Sequence, residues 1–448
     1  MSHDNATGIK KFSDFYSDLE QGDHTQLRSM ATTKTRSQDA LQAQKQHLLD
    51  LYRGAQPRHS FVDETGQIFD CFPIEEQPSL KKHKLKLAKP PTLPVGMAAK
   101  PETPAAPAVA ADKRDRFGNS MVCPEGTVAV RRITLDELSR FETLDHYLRK
   151  HGHPRRRAGV LKHAIEPAQD AAHEYAHASQ SVNNAGGQSL LNVWDPAIGS
   201  GQIFSLSQQW YSAQGPNGVQ TVEVGWQVYP DFYGHSKPVL FTYWTADGYQ
   251  STGSYGTTAG DFVQYGTTHP VGMALAAASV AGGQQVEIAV IVMLSQGNWW
   301  IFLDGSPVGY YPAGQYQNGP LASGATDIDF GGETVGNGSY PSMGSGQFAD
   351  RGFKLAAYQR SICYLDAATG KLVQANLNAS QEWPGSYTIK VGTSADWGEY
   401  FYFGGPGSAA TPQLTPSDSR LLVYGPAGLR IEGLSVDDLA RLMRLLSA

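Results

Sequence analysis

The sequence predicts an all-β core, a sandwich or a barrel, behind a front half of different construction. Three observations carry that expectation. From Leu190 onward, short apolar segments recur between Gly, Pro, Asn and Asp turns, without a helix-period stretch to interrupt them. Aromatic residues gather in the same region: all eight tryptophans and 18 of the 21 tyrosines lie after residue 173. Charge divides there too. Residues 1–172 hold 26 Lys or Arg against 22 Asp or Glu, net +4, whereas residues 173–405 hold 6 against 16, net −10.

Taken in order, residues 1–59 read as a polar extension with one helix over DALQAQKQHLLDLY, where Leu41, Leu48, Leu49 and Tyr52 fall near helical spacing. Residues 60–87 read as short strands ending in the basic run SLKKHKLKLAK. From about residue 88 to 115 the Pro/Ala-rich composition predicts a linker that forms no core. The block MVCPEGTVAVRRITLDELSRFETLDHYLRK predicts a strand and then a helix capped by Thr134, so residues 60–172 form a small α+β region. HGHPRRR follows as an exposed cationic loop. In TVEVGWQVY, Val222, Val224, Trp226 and Val228 share one strand face, while Thr221, Glu223, Gly225 and Gln227 share the other. KPVLFTYWT, QQVEIAVIVML, ATDIDFGGE, GSYTIKVG and EYFYFGG predict further strands. WWIFLDGSPVGYYP predicts a hairpin turning at Asp304-Gly305. The tail, residues 408–448, closes with an amphipathic helix over LSVDDLARLMRLL, with Ser435 and Asp438 at capping-box spacing.

Several kinds of chemistry are excluded. No run is long enough to span a membrane as a helix, and MSHDNATGIKKFSDFYSDLE has no apolar stretch to serve as a signal-peptide core. Three cysteines, Cys71, Cys123 and Cys363, cannot build a disulfide framework, and none stands in a C-x-x-C pair. Cys363 lies in an apolar run and reads as core. His151 and His153 sit beside three arginines and read as a solvated basic loop; His173, His177, His235 and His269 form no metal-ligand motif. There is no G-x-S-x-G elbow, and the Gly-rich stretches lack a P-loop lysine. No metal, cofactor, nucleic acid or membrane partner is expected.

Carboxylates remain. The core holds six glutamates, Glu174, Glu223, Glu287, Glu333, Glu382 and Glu399. Glu223 faces away from its Val/Trp strand partners, and Glu333 follows Gly331 and Gly332, where a second backbone or a ligand can approach closely. Pattern alone describes a groove with acids and aromatics. That fits a peptidase, a glycoside hydrolase using the two glutamates, or a carbohydrate-binding sandwich.

Ordered motifs narrow the choice. GQIFDCFPIEEQPSLKKHKLKL resembles the activation-peptide motif of the neprosin family, and CPEGTVAVRR resembles the block that follows it. HEYA, LLNVWDP, FSLSQQWY, VEVGWQVYPDFYG, LFTYWTADGYQSTG, VGYYP, FGGE, PSMGSGQF and YFGGPG resemble the family's successive core motifs. The resemblance implies an antiparallel β-sandwich over residues 173–407, preceded by a pro-region, and an extracytoplasmic glutamic endopeptidase made as a precursor. It implies acid activity, cleavage after proline, and a catalytic pair at Glu223 (VEVGW) and Glu333 (FGGE). Two close carboxyls share a proton, so one can activate water while the other protonates the leaving nitrogen. Gln208 and Trp210 are expected to line the cleft, Gln208 as an oxyanion donor, with Trp226, Tyr243 and Trp244 as an aromatic wall for proline. Partners are then a peptide or protein substrate, proline-rich in the simplest case, and the chain's own pro-region as inhibitor, with SLKKHKLKLAK laid over the acidic cleft. Ser254 and Ala259 stand where plant members carry a cysteine pair, so that staple is missing.

Overall fold

A computed structural model of the chain describes residues 8–22, 37–97, 101–104, 112–150, 172–381, 383–408, 421–424 and 430–434. The front part carries helices α1 (Phe12–Gln21) and α2 (Gln38–Leu51), strands β1 (His59–Val62) and β2 (Ile68–Pro73), helix α3 (Pro78–His83), strand β3 (Thr127–Arg131), and helices α4 (Leu135–Ser139) and α5 (Leu144–Leu148). The three strands form an antiparallel sheet in the order β1-β2-β3. Helix α2 starts at Ser37, whose hydroxyl accepts the Ala40 N–H, and Thr134 caps α4 in the same way through Glu137. Gln44 on α2 donates to the carbonyls of Leu138 (2.9 Å) and Phe141 (3.1 Å), fastening α2 to the segment from α4 to α5. Two buried bidentate pairs, Arg131 with Glu137 and Arg132 with Asp70, tie the strands to their surroundings.

The described part of residues 1–59 is packed more closely than its polarity suggests. Helix α1 was not expected, yet Phe12, Phe15 and Leu19 fall on one face of it and are buried, with the Arg132 guanidinium over both phenylalanine rings. Nor do the cysteines all stand alone: Cys71 and Cys123 are bridged, within the front part, and Cys363 is a free thiol pushed by burial up to about 11.

The core strands are β4 (Ala172–Asn192), β5 (Gln202–Gly215), β6 (Gly218–Val228), β7 (Val239–Thr245), β8 (Ser254–Tyr255), β9 (Val263–Gln264), β10 (Glu287–Ser295), β11 (Asn298–Leu303), β12 (Ser306–Pro312), β13 (Ala325–Gly336), β14 (Ala357–Asp366), β15 (Leu372–Gln374), β16 (Asn378–Gln381), β17 (Thr388–Ser394) and β18 (Gly398–Gly404). They form one antiparallel sheet folded on itself along β4. The first half of β4 pairs with β13 and β16, and its second half pairs with β10 and β14. At the change of layer stands Gly186 with φ +113°, where a Cβ would lie 2.0 Å from the Val292 carbonyl oxygen. One layer runs β8-β7-β6-β5-β13-β4, the other β4-β10-β11-β12-β9, with β14, β18 and β17 alongside. Between the layers lies the largest apolar cluster, with Val222, Val224, Trp226 and Phe330 from one layer and Ile288, Val290, Trp299 and Phe401 from the other. The β11–β12 hairpin turns at Asp304 (φ 49°) and Gly305 (φ 81°), as Asp-Gly predicts.

The front part touches both outer faces of this sandwich. Over the β5–β6–β7 layer, Phe141 and Tyr147 share a cluster with Phe204, Leu206, Phe241 and Tyr243. Over the other layer passes the stretch expected to be a linker without a core. Met97 is fully buried, and Leu87, Ala88 and Leu93 pack on Trp300, Phe302 and Tyr310. Proline fixes this stretch extended, and its apolar residues then find a surface to cover. Residues 421–424 (β19, Leu421–Tyr424) and 430–434 (β20, Arg430–Leu434) pair as an antiparallel hairpin in a separate compact unit. The helix expected at the end of the tail lies outside the described residues.

Candidate functional site

Strand register builds the site. On the outer face of the first layer, Tyr243, Glu223, Trp210 and Asp329 stand in one cross-strand row. The next row is Phe241, Gly225, Gln208, Gly331 and His177, and the third is Gln227, Leu206, Glu333 and Tyr175. Gly225 and Gly331 contribute no side chain, and a Cβ on them would meet backbone oxygens at 2.0 Å and 2.4 Å. Gln208 therefore stands between the two glutamates with nothing on either side of it in its row.

Both glutamates close on one cation. Lys150, two residues beyond α5, places its Nζ 2.5 Å from Glu223 Oε2, 3.0 Å from Glu333 Oε2 and 3.2 Å from Gln208 Oε1. Gln208 Nε2 donates to Glu333 Oε2 at 2.8 Å. Glu223 Oε1 accepts from the hydroxyls of Tyr249 (2.6 Å) and Thr221 (2.9 Å), and Glu333 Oε1 meets His173 Nδ1 at 2.5 Å. The ammonium also faces the rings of Trp210, Phe241 and Tyr243 at 5.6–5.8 Å from their centroids. Glu223 is 0% exposed, Glu333 1% and Lys150 3%, so the cluster is shut away from water.

Burial works against the charge on Glu333, but the Lys150 ammonium, and after it His173, outweigh that cost and hold its carboxyl down at about 2. Lys150 shows the mirror effect: burial opposes its charge, and the two carboxylates push it up nonetheless. The trio is a closed ion cluster in which each charge depends on the others.

Four expected site residues, Gln208, Trp210, Glu223 and Glu333, stand together, with Tyr243 at their edge. Two do not. Trp226 and Trp244 point to the opposite face, into the cluster between the layers: Trp226 donates to the Asn192 carbonyl, and Trp244 packs edge-on against Tyr316. Strand alternation accounts for this, since both occupy positions of the other parity from Glu223 and Tyr243. The basic run is also elsewhere. Lys82 pairs with Asp261 and Lys81 with the Gly54 carbonyl, so the cation on the glutamates comes from a different segment.

Sequence reasoning missed Lys150, His173, Tyr249 and Thr221. Strand alternation puts Thr221 on the face of Glu223 without giving it a role, and HEYAHA carries an alternation (His173, Tyr175, His177) that marks one strand face. Lys150 and Tyr249 gave no signal, because each reaches the glutamates from a loop or a helix end. The same face carries a second acid–base pair, with His177 Nδ1 at 2.8 Å and 2.9 Å from the Asp329 oxygens. Among the described residues no group of three or more His, Cys, Asp or Glu is arranged to hold a metal, and no helix is long and apolar enough to cross a membrane. The HGHPRRR segment lies outside the described residues.

Known proteins resemble this chain at two levels. The model of the Neprosin family matches residues 201–406, and that of the Neprosin activation peptide matches residues 60–179. Similar solved structures include a Scytalido-glutamic peptidase with a peptide-based transition-state analogue, 11% identical over 53% of this chain and 99% of that one, TM-score 0.30. Another is SCP-B, a member of the Eqolisin family of peptidases, in complex with the tripeptide Ala-Ile-His, at 9% identity over 53% and 99%, TM-score 0.29.

Proposed function

The chain belongs to the neprosin family and is a peptidase precursor with an activation peptide ahead of its core, and we propose that Glu223 and Glu333 are its catalytic pair, held latent by Lys150. The observation that carries this reading is the single ammonium clamped by both carboxylates. A position that suits a cation between two acids also suits a water and a polarised carbonyl once the cation has left.

With Lys150 gone, two carboxyls in a buried site cannot easily both ionise, and one proton is shared. Glu333 keeps two nitrogen partners, His173 and Gln208, that favour its anion. Glu223 has its Oε1 engaged by two hydroxyls, which leaves Oε2 as the oxygen for the mobile proton. Glu333 then takes a proton from water as that water adds to the peptide carbonyl, and Glu223 gives its proton toward the departing nitrogen. Gln208 has a second amide N–H for the developing oxyanion.

Cleavage after proline is the substrate preference we propose, supported by the rings of Trp210, Phe241 and Tyr243 around the ammonium position, an apolar wall for a pyrrolidine ring. An extracytoplasmic location is supported by the Cys71–Cys123 bridge. The test is Glu223→Gln and Glu333→Gln in chain cut between Lys150 and Ala172. Each should lower cleavage of a proline-containing peptide by roughly 10²–10⁴-fold, with the circular dichroism of the parent. Near-parent activity in either folded variant removes that glutamate from the mechanism.

A further inference from the structure

The second outer face of the sandwich holds a peptide of its own. Alternate residues of β10, β11 and β12 (Ile291, Met293, Trp300, Phe302 and Tyr310) form a buried apolar floor on the side away from the inter-layer core. Across it lies KLAKPPTLPVGM, residues 86–97, which pairs with no strand. Leu87, Ala88 and Leu93 pack on the floor, Met97 is buried against it, and the Ala88 N–H donates to the Tyr310 hydroxyl at 3.0 Å. Pro91-Thr92-Leu93-Pro94 is a P-x-x-P segment, and Trp300 and Tyr310, with centroids 4.5 Å apart, make an aromatic surface beneath the strap. Proline-rich segments bind aromatic-lined grooves in this manner because their extended form costs little further entropy to order. A few residues on, the chain pairs once more, as the Glu287 N–H donates to the Thr103 carbonyl at 2.9 Å.

We infer that this groove is a second peptide site, for a proline-rich extended segment of a protein substrate, which maturation opens. The inference rests on the precursor reading. A cut between Lys150 and Ala172 leaves the strap on the released part, and the Cys71–Cys123 bridge lies wholly within that part, so it does not retain it. The floor then faces water. A contiguous aromatic and aliphatic patch of this kind marks a binding surface, and the strap it has just lost shows the chemistry that fits. A substrate held there by its proline-rich stretch would be presented to the remote glutamate pair at raised effective concentration.

The test measures binding, so it does not depend on catalysis. Full-length chain is cut between Lys150 and Ala172 by acid incubation or limited trypsin, and the core is isolated by gel filtration. Fluorescent KLAKPPTLPVGM is then titrated against cut and uncut protein. The cut protein should bind at least ~10-fold tighter than the uncut one, a difference of about one decade in Kd. A peptide with Pro90, Pro91 and Pro94 replaced by Ala and Leu93 by Asp should lose at least ~10-fold, and Leu372→Asp, at the rim beside Gly96, should weaken the parent peptide. If the front part leaves and the peptide does not bind, or binds equally well without its prolines and leucine, the second site is wrong. Should the front part never leave the cut core, the groove is never vacated and the inference falls with the precursor reading.

Discussion

The two outer faces of the sandwich are covered by the same front part in opposite ways. On the glutamate face the decisive contact is ionic and buried: one lysine between two carboxylates, with Gln208 accepting from Lys150 and donating to Glu333. On the other face it is apolar and extended, a proline-rich strap whose main polar tie is Ala88 to Tyr310. The difference teaches that latency and adhesion can be separated. A charge cluster blocks chemistry at a point, and breaking it leaves uncompensated buried charge. A strap spreads its hold over many small contacts, none of which disables the enzyme.

Removing the lysine should have the largest effect. Lys150→Met leaves two carboxylates facing one another in a dry site, and should destabilise the uncut chain by about 3–5 kcal/mol. Chemical denaturation of parent and variant near pH 7 measures it. A loss under about 1 kcal/mol would mean that the cluster holds little of the front part in place.

Acid should act on the ion cluster and not on the apolar contacts of the strap. Glu333 is depressed in the folded precursor to about 2 from the ordinary 4.5, burial being outweighed by Lys150 and then His173. A depressed carboxylate stabilises fully above its unfolded value and loses that contribution as pH falls through the folded one. The window is therefore from about pH 4.5 down to about 2, worth on the order of 3 kcal/mol. Parent chain should lose more stability across that window than Lys150→Met does, the depressed carboxylates of Asp115, Asp247 and Asp261 being common to both. The apolar contacts of the strap have nothing to titrate in the same range. This also bears on activation: mild acid leaves the ion cluster intact, so cutting the chain, rather than protonating Glu333, is what should release Lys150.

The smallest effect should come from the strap. Tyr310→Phe keeps the ring and removes the hydroxyl that accepts the Ala88 N–H, for a cost of about 1 kcal/mol in the uncut chain and no change in the cleavage, by the cut one, of a peptide too short to reach this groove. Altered cleavage rates would tie this face to the chemistry and erase the contrast between the two.

Much of the sandwich was legible because its strands alternate. TVEVGWQVY sorted Val222, Val224 and Trp226 from Glu223 and Gly225 correctly, and Asp304-Gly305 marked its hairpin. The same parity, carried across to KPVLFTYWT, would have sent Trp226 and Trp244 to the core, since Glu223 pairs with Tyr243 and Val222 with Trp244. That pairing is long-range information, and composition cannot supply it. Glu223 and Glu333 stood out only through their resemblance to family motifs, because an isolated strand glutamate looks like any solvent-facing residue. The strap was misread for a related reason. A Pro/Ala-rich stretch has no core of its own, but nothing in it says whether another element offers a surface.

The central claim, a two-glutamate peptidase kept silent by its own front part, is tested most directly by one assay on one preparation. Full-length chain is incubated with a proline-containing peptide, and peptide and enzyme are followed together by mass spectrometry while the segment between Lys150 and Ala172 is cut. Peptide cleavage should be absent at the start and rise in step with the cut chain, and chain carrying Glu333→Gln, cut equally, should stay silent. Full activity in the uncut chain, or activity in the cut Glu333→Gln chain, would contradict it.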